Sequence, residues 1–141
     1  MMYRKLSLMV AVLGLAAAAC GGATSANQVR VSATEGPDGQ AFTSDVTTFK
    51  AGETYHFVVE NAGALQHEFM IIEPVEPGMM EMEEMDEMAM YVVEEEDLAP
   101  GATVEFDYTF PSDAVGQPLE FACHLPGHYE DGMHLTINVE A

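Results

Sequence analysis

The sequence has five histidines, two cysteines and eleven methionines, the side chains best suited to hold a soft metal ion. Four of them stand out by spacing. Cys123, His128 and Met133 follow one another as C-x4-H-x4-M, and His67 lies well upstream. A thiolate, two imidazoles and a thioether form a soft-to-intermediate donor set that suits copper. Zinc accepts Cys and His, but its structural sites usually carry more cysteines, and a thioether is a poor zinc ligand. Calcium and magnesium need oxygen ligands, which none of these four supplies. Taken singly, each residue has a plainer role: Cys123 as a small core residue, Met133 as core filler, His67 as a satisfied core histidine, His128 as a loop residue. The metal reading rests on the four together.

A second group lies in the segment 73–101. Met79, Met80, Met82, Met85, Met88 and Met90 sit among many acids with no Lys or Arg. Thioethers suit Cu(I), so Met79, Met82, Met85 and Met88 are candidate secondary Cu(I) ligands. Alternatively, these methionines pack the segment against the rest of the molecule while the acids face water. No His or Cys lies within the segment to sharpen a site. No Ser/His/Asp arrangement or phosphate-cradling glycine loop competes with the metal group.

The elements that must position these residues read as strands. Tyr55, Phe57 and Val59 alternate with polar residues, as do Val104, Phe106, Tyr108 and Phe110. So do Leu119, Phe121 and Cys123, and Met133, Leu135, Ile137 and Val139. Val29–Thr34, Phe42–Thr47 and Gln66–Ile72 are weaker candidates. Turn signals such as Gly36-Pro37-Asp38-Gly39 and Asn61-Ala62-Gly63 fall between them. About seven short strands with one buried face each predict an all-β, two-sheet sandwich. The segment 73–101 is the exception: Met and Glu favour helix, while like charges such as Glu83 and Glu87 oppose it. It reads as an acidic, Met-rich, partly helical insertion. Strand parity also sorts the histidines. His67 shares the inward face with Phe69 and Ile71, and Cys123 shares it with Leu119 and Phe121. His56, His124 and His134 fall on outward parities. His67, Cys123, His128 and Met133 can therefore converge at one end of the core.

Composition narrows the partners. Four basic against 24 acidic residues give a formal charge of -20, which repels nucleic acid. Arg4 and Lys5, the apolar run Leu6–Ala19 and the small residues before Cys20 read as an export leader over 1–19, too short to span a bilayer. Two processings fit the join. In one, Cys20 is the lipidated first residue of a lipoprotein, with 20–27 as lipidated Cys and tether and the chain membrane-anchored. In the other, simple cleavage leaves Cys20 a free thiol. Either way the protein is exported from a bacterial cell, to the periplasm or the cell surface. Cys123 is then left alone, and no structural disulfide is expected.

Cys123-His124-Leu125-Pro126-Gly127-His128-Tyr129-Glu130-Asp131-Gly132-Met133 resembles the copper loop of the cupredoxins, with the spacing of auracyanin-like and rusticyanin-like members. Lys50-Ala51-Gly52-Glu53, Val58-Val59-Glu60-Asn61 and His67-Glu68-Phe69 resemble the region that carries the first histidine ligand. The resemblance covers 28–141, interrupted by the insertion. It implies a Greek-key β-sandwich and one type 1 copper ion, held by the ring nitrogens of His67 and His128, the thiolate of Cys123 and, axially, Met133. It implies a monomeric one-electron carrier rather than an enzyme. Its donor and acceptor would be redox proteins such as a c-type cytochrome or a respiratory oxidase, steered by the acidic surface. Copper delivery or storage through the Met-rich segment is the alternative. One position departs from the family: many cupredoxins have Asn directly after the first histidine, where this chain has Glu68. An ionised carboxylate accepts hydrogen bonds but cannot donate them, so the bonds that tie the ligand loops together are expected to differ.

Overall fold

The computed structural model describes residues 27–76 and 78–141. The expected leader, Cys20 and all but the last residue of the tether lie outside them. The chain runs β1 (Gln28–Gly36), β2 (Gly39–Ser44), β3 (Thr48–Lys50), β4 (Thr54–Asn61), β5 (Phe69–Ile72), α1 (Met82–Met88), β6 (Tyr91–Val93), β7 (Thr103–Thr109), β8 (Leu119–Ala122) and β9 (His134–Glu140). A short 3-10 turn, Ser112–Ala114, precedes β8. The strands form two sheets, β2-β1-β4-β7 and β3-β9-β8-β5-β6. Pairing is antiparallel except for β1 with β4 and β3 with β9. The expected all-β sandwich is present.

Period-two alternation produces the core. Val29, Val31 and Ala33 of β1, Tyr55, Phe57 and Val59 of β4, Phe69 and Ile71 of β5, and Leu119 and Phe121 of β8 turn inward and are buried together. Phe49 from β3 lies at the centre, with its ring centroid 4.7 Å from Phe110, 5.8 Å from Phe57 and 6.0 Å from Phe121. Two strands were not expected. β3 and β6 have three residues each, too few to display an alternating pattern. β6 is nonetheless anchored, because Tyr91 stacks on Phe106 of β7 at 4.0 Å and closes one side of the sandwich.

Among its described residues the insertion holds one helix of seven residues and β6, and is otherwise irregular. The start of the helix is closed by a capping box between Glu81 and Glu84. α1 buries Met85 against Met70, Ile72, Val75 and Ala122. β5 and β8 are therefore covered on both faces, by the core on one side and by the Met-rich segment on the other. Covering that face with Met85 stabilises the fold by about 1.5–3 kcal/mol. Among the described residues no helix is long and apolar enough to cross a membrane.

Candidate metal centre

His67, Cys123 and His128 meet at one end of the sandwich, their ligand atoms all within 4.8 Å of one another. His67 and Cys123 are fully buried. His128 Nδ1 lies 3.2 Å from His67 Nδ1 and 3.4 Å from Cys123 Sγ. Two donors each about 2.0–2.3 Å from one ion stand at such separations. Met133 is fully buried beside them. Its N–H donates to the His128 carbonyl at 3.0 Å, and its carbonyl accepts from the Cys123 N–H at 3.1 Å.

Local structure explains the convergence. After β8 the chain enters a loop of consecutive turns, with His128 N–H on the Leu125 carbonyl, Asp131 N–H on Gly127 and Gly132 N–H on Tyr129. The loop returns the chain to β9, where Met133 faces Cys123 across the sheet end. β2 braces it from the opposite sheet, since Gln40 N–H donates to the Asp131 carbonyl at 3.2 Å. Gly39, at φ +116°, permits this approach, because a Cβ there would collide with the Asp131 carbonyl. On the other side, buried Asn61 organises the loop before His67. Its Nδ2 donates to the carbonyls of Leu65 (2.7 Å) and Leu98 (2.8 Å), and its Oδ1 accepts from Gly63 N–H.

Two carboxylates complete the surroundings. Glu68, directly after His67, is buried. Its Oε1 accepts the His124 N–H at 2.7 Å, while its own N–H points to Cys123 Sγ at 3.5 Å. Position 68 holds no Asn, yet the two ligand loops are still joined. Burial pushes the Glu68 carboxyl up to about 7. Glu35, at the end of β1, lies 2.7 Å from His67 Nε2. It also accepts the N–H groups of Ala64 (2.7 Å) and Leu65 (3.2 Å), and these bonds, the Ala64 one foremost, hold its carboxyl below the usual range. Gly63 makes room for it, because a Cβ there would overlap the Glu35 carboxylate. Sequence reading missed Glu35. It lies 32 residues from His67, and nothing local marks it.

The remaining histidines divide. His56 and His134 point outward as parity predicts, His134 exposed and His56 half-buried, where it pairs with Asp107 at 2.8 Å. His124 departs from its outward expectation and is buried. Tyr129 stacks on it at 4.5 Å, and the start of the insertion lies beside it. The four candidate methionines are spread out: Met79 and Met88 are exposed, Met85 is buried under α1, and Met82 lies between these extremes.

Electrostatics suit a soft cation. Burial pushes the Cys123 thiol up to about 12, so without a metal it holds its proton at neutral pH. Burial, and then the neighbouring His67, push His128 down and keep its ring neutral. A neutral imidazole at His128 and a thiol that ionises on binding are forms that metal binding requires. The donor chemistry of one buried Cys and two His, with Met133 adjoining, fits one copper ion.

A two-sheet sandwich with a His-Cys-His cluster at one end, and a methionine closing the loop that carries it, is the cupredoxin arrangement, and the chain has the cupredoxin fold. In sequence the chain is similar to the copper-resistant cuproprotein CopI of three bacteria. Identity is 31% with that of Pseudomonas aeruginosa, 33% with that of Rubrivivax gelatinosus and 35% with that of Vibrio cholerae. The alignments cover 64%, 68% and 70% of this chain but 66%, 58% and 57% of those proteins. Similar solved folds include auracyanin of Roseiflexus castenholzii (TM-score 0.57, 19% identity, 82% of this chain and 98% of that one). Rusticyanin of Thiobacillus ferrooxidans also matches (0.57, 18%, 82% and 79%). A multi-copper oxidase of Pediococcus acidilactici matches at 0.55 and 16% identity, over 79% of this chain and 26% of the oxidase. No protein-family model matches the chain.

Proposed function

We propose that this chain is an exported type 1 copper protein that carries one electron between redox partners and is not itself an enzyme. The buried His67–Cys123–His128 cluster carries the reading. His67 and His128 would bind through Nδ1, Cys123 through its thiolate and Met133, buried beside them, through its thioether. Copper held there supplies a one-electron couple, Cu(II)/Cu(I), with no substrate bond made or broken. The chain's own groups do the rest. Glu35 orients His67 from behind, Glu68 and the Cys123–Met133–His128 backbone bonds fix the ligand loop, and the packed core keeps water from the thiolate. His128, half-buried between exposed Gly127 and partly exposed Tyr129, is the port for electrons, and Leu65 and Pro126 give nearby apolar surface for a partner. The acidic surface would steer a basic donor or acceptor, such as a c-type cytochrome or a respiratory oxidase subunit, with rates that fall as salt rises. The leader over 1–19 supports export, and lipidation at Cys20 would hold the domain, 28–141, at a membrane.

The test is visible absorption during Cu(II) titration, beside Cys123→Ser. The expected result is an intense thiolate-to-copper band that saturates at one copper and is missing from the variant. Faint colour, or a variant that behaves like the wild type, overturns the reading. A second reading, copper handling for delivery or tolerance, is favoured by the three relatives named for copper resistance. It predicts copper bound beyond the first equivalent.

A further inference from the structure

The segment that covers the outer face of β5 and β8 does more than shield apolar surface. Residues 78–85 run alongside the ligand loop and leave a recess of about 160 Å³ between the two. Met80, Met82, Met85 and His124 line it, with Glu81, Pro126, Gly127, Tyr129 and Glu130 also contributing. This places a histidine among the methionines, which the linear sequence does not. Only 8% of His124 is exposed, and its Nε2 has no hydrogen-bond partner among the described residues. Nearly every buried polar atom in a folded protein is paired, so an orphaned imidazole nitrogen calls for an explanation. Tyr129 stacks on the ring at an interplanar angle of 13° and holds its plane. Met80, 36% exposed, leaves the recess open to solvent on its side.

We propose that Met80, Met82, Met85 and His124 form a second metal site, selective for Cu(I), beside the first cluster and independent of its ligands. Three thioethers and an imidazole are soft donors that prefer Cu(I) to zinc or to harder ions. The acids at 81 and 130 add local negative charge that attracts a cation without competing as soft ligands. Of the methionines that spacing alone suggests, Met82 and Met85 belong to this site. Met79 and Met88 do not, and Met80 takes part instead. The site deepens the copper-handling reading and rests on it for its purpose. It does not rest on the first cluster.

The test is an anaerobic Cu(I) titration of the full chain against a chromophoric Cu(I) chelator, with methionine methyl groups labelled with 13C. The wild type is expected to take two equivalents, the second shifting the methyl signals of Met80, Met82 and Met85. Met80→Leu/Met82→Leu, which conserves volume, should weaken the second equivalent by at least tenfold, since losing even a residue that merely orients a ligand costs about 10- to 100-fold. His124→Phe, which retains the stack on Tyr129, should weaken it likewise. Met79→Leu/Met88→Leu should leave it unchanged. The inference is overturned if the wild type holds one equivalent, or if the Met79/Met88 variant loses the second equivalent as readily as the Met80/Met82 variant. Reoxidation then reads the thiolate-to-copper band of Cys123. A missing second equivalent with the band intact sinks this site alone, whereas a missing band with the second equivalent present sinks the electron-carrier reading alone.

Discussion

Replacing Glu35 with Gln should weaken copper binding and raise the reduction potential. The Glu35 carboxylate lies 2.7 Å from His67 Nε2, on the opposite side of the ring from the nitrogen that faces His128. A carboxylate behind a metal-bound imidazole fixes its tautomer and raises its basicity, and losing such a partner costs about 10- to 100-fold in metal affinity. At 1.36 kcal/mol per decade this is roughly 1.4–2.7 kcal/mol. Gln can still accept from His67 Nε2, so ring geometry is largely kept and the charge is what is lost. A negative charge favours Cu(II) over Cu(I), so the loss falls mainly on the oxidised form. A tenfold differential raises a one-electron potential by about 59 mV. The assay is Cu(II) competition titration and spectroelectrochemistry of wild type and Glu35→Gln, with thermal unfolding of the metal-free proteins as a control. An unchanged or lowered potential together with unchanged affinity refutes the reasoning and reduces Glu35 to a brace for the 62–66 loop. Gly63→Ala should imitate the variant, because its Cβ displaces the same carboxylate.

Three further outcomes are expected. Copper uptake should release a proton from Cys123, whose thiol lies at about 12 in the metal-free fold. Proton release on binding, measured in weakly buffered solution, should therefore be smaller for Cys123→Ser. Met85→Ala should destabilise the metal-free domain by about 2–5 kcal/mol in denaturant melts, since Met85 is the buried anchor of α1; a change below about 0.5 kcal/mol would mean the helix is not held there. Burial raises the Glu120 carboxyl above its ordinary value, against the opposing pull of Tyr129 and His134. The folded state thus holds the proton more tightly than the unfolded chain. Stability from this group is full below the ordinary carboxylate range and is lost as pH rises through the raised value. Glu120→Gln should flatten that fall, and an equally steep profile in the variant would show that Glu120 is not its source.

The ligand cluster was legible because its signals are local. C-x4-H-x4-M fits one loop between two strands, and period-two parity, carried just past the ends of β5 and β8, places His67 and Cys123 inward. The sandwich was legible for the same reason in β4, β7, β8 and β9, where alternation is long enough to read. What sequence could not supply depends on distant pairing. Glu35 meets His67 only because β1 runs parallel to β4 and ends at the loop leading to His67. His124 has outward parity, and parity cannot show that an outward face is covered. Here Tyr129 and residues 78–85 bury it. The insertion was ambiguous because its composition and its like charges pull in opposite directions. A single short helix, capped by Glu81 and Glu84 and anchored by Met85, is how these tendencies balance.

Glu68 joins the two ligand loops without the Asn that the cupredoxin resemblance led one to expect there. An Asn after the first histidine could join the ligand loops with both a donor and an acceptor. Glu68 keeps the join by dividing the work. Its backbone N–H faces the Cys123 sulfur, and its carboxylate takes the His124 N–H at 2.7 Å. Only acceptance is asked of the side chain, and a carboxyl oxygen accepts whether or not the group, pushed up to about 7 by burial, holds its proton. Glu35 applies the same logic to His67 and the 64–65 backbone, and Gln40 with Asp131 links β2 to the ligand loop. Two of these ties hold the ligand loop, at His124 and at Asp131, and the third holds His67 and the loop before it, so both halves of the site are braced by the fold itself. A centre held in this way rearranges little when an electron enters or leaves, which is the property a one-electron carrier needs.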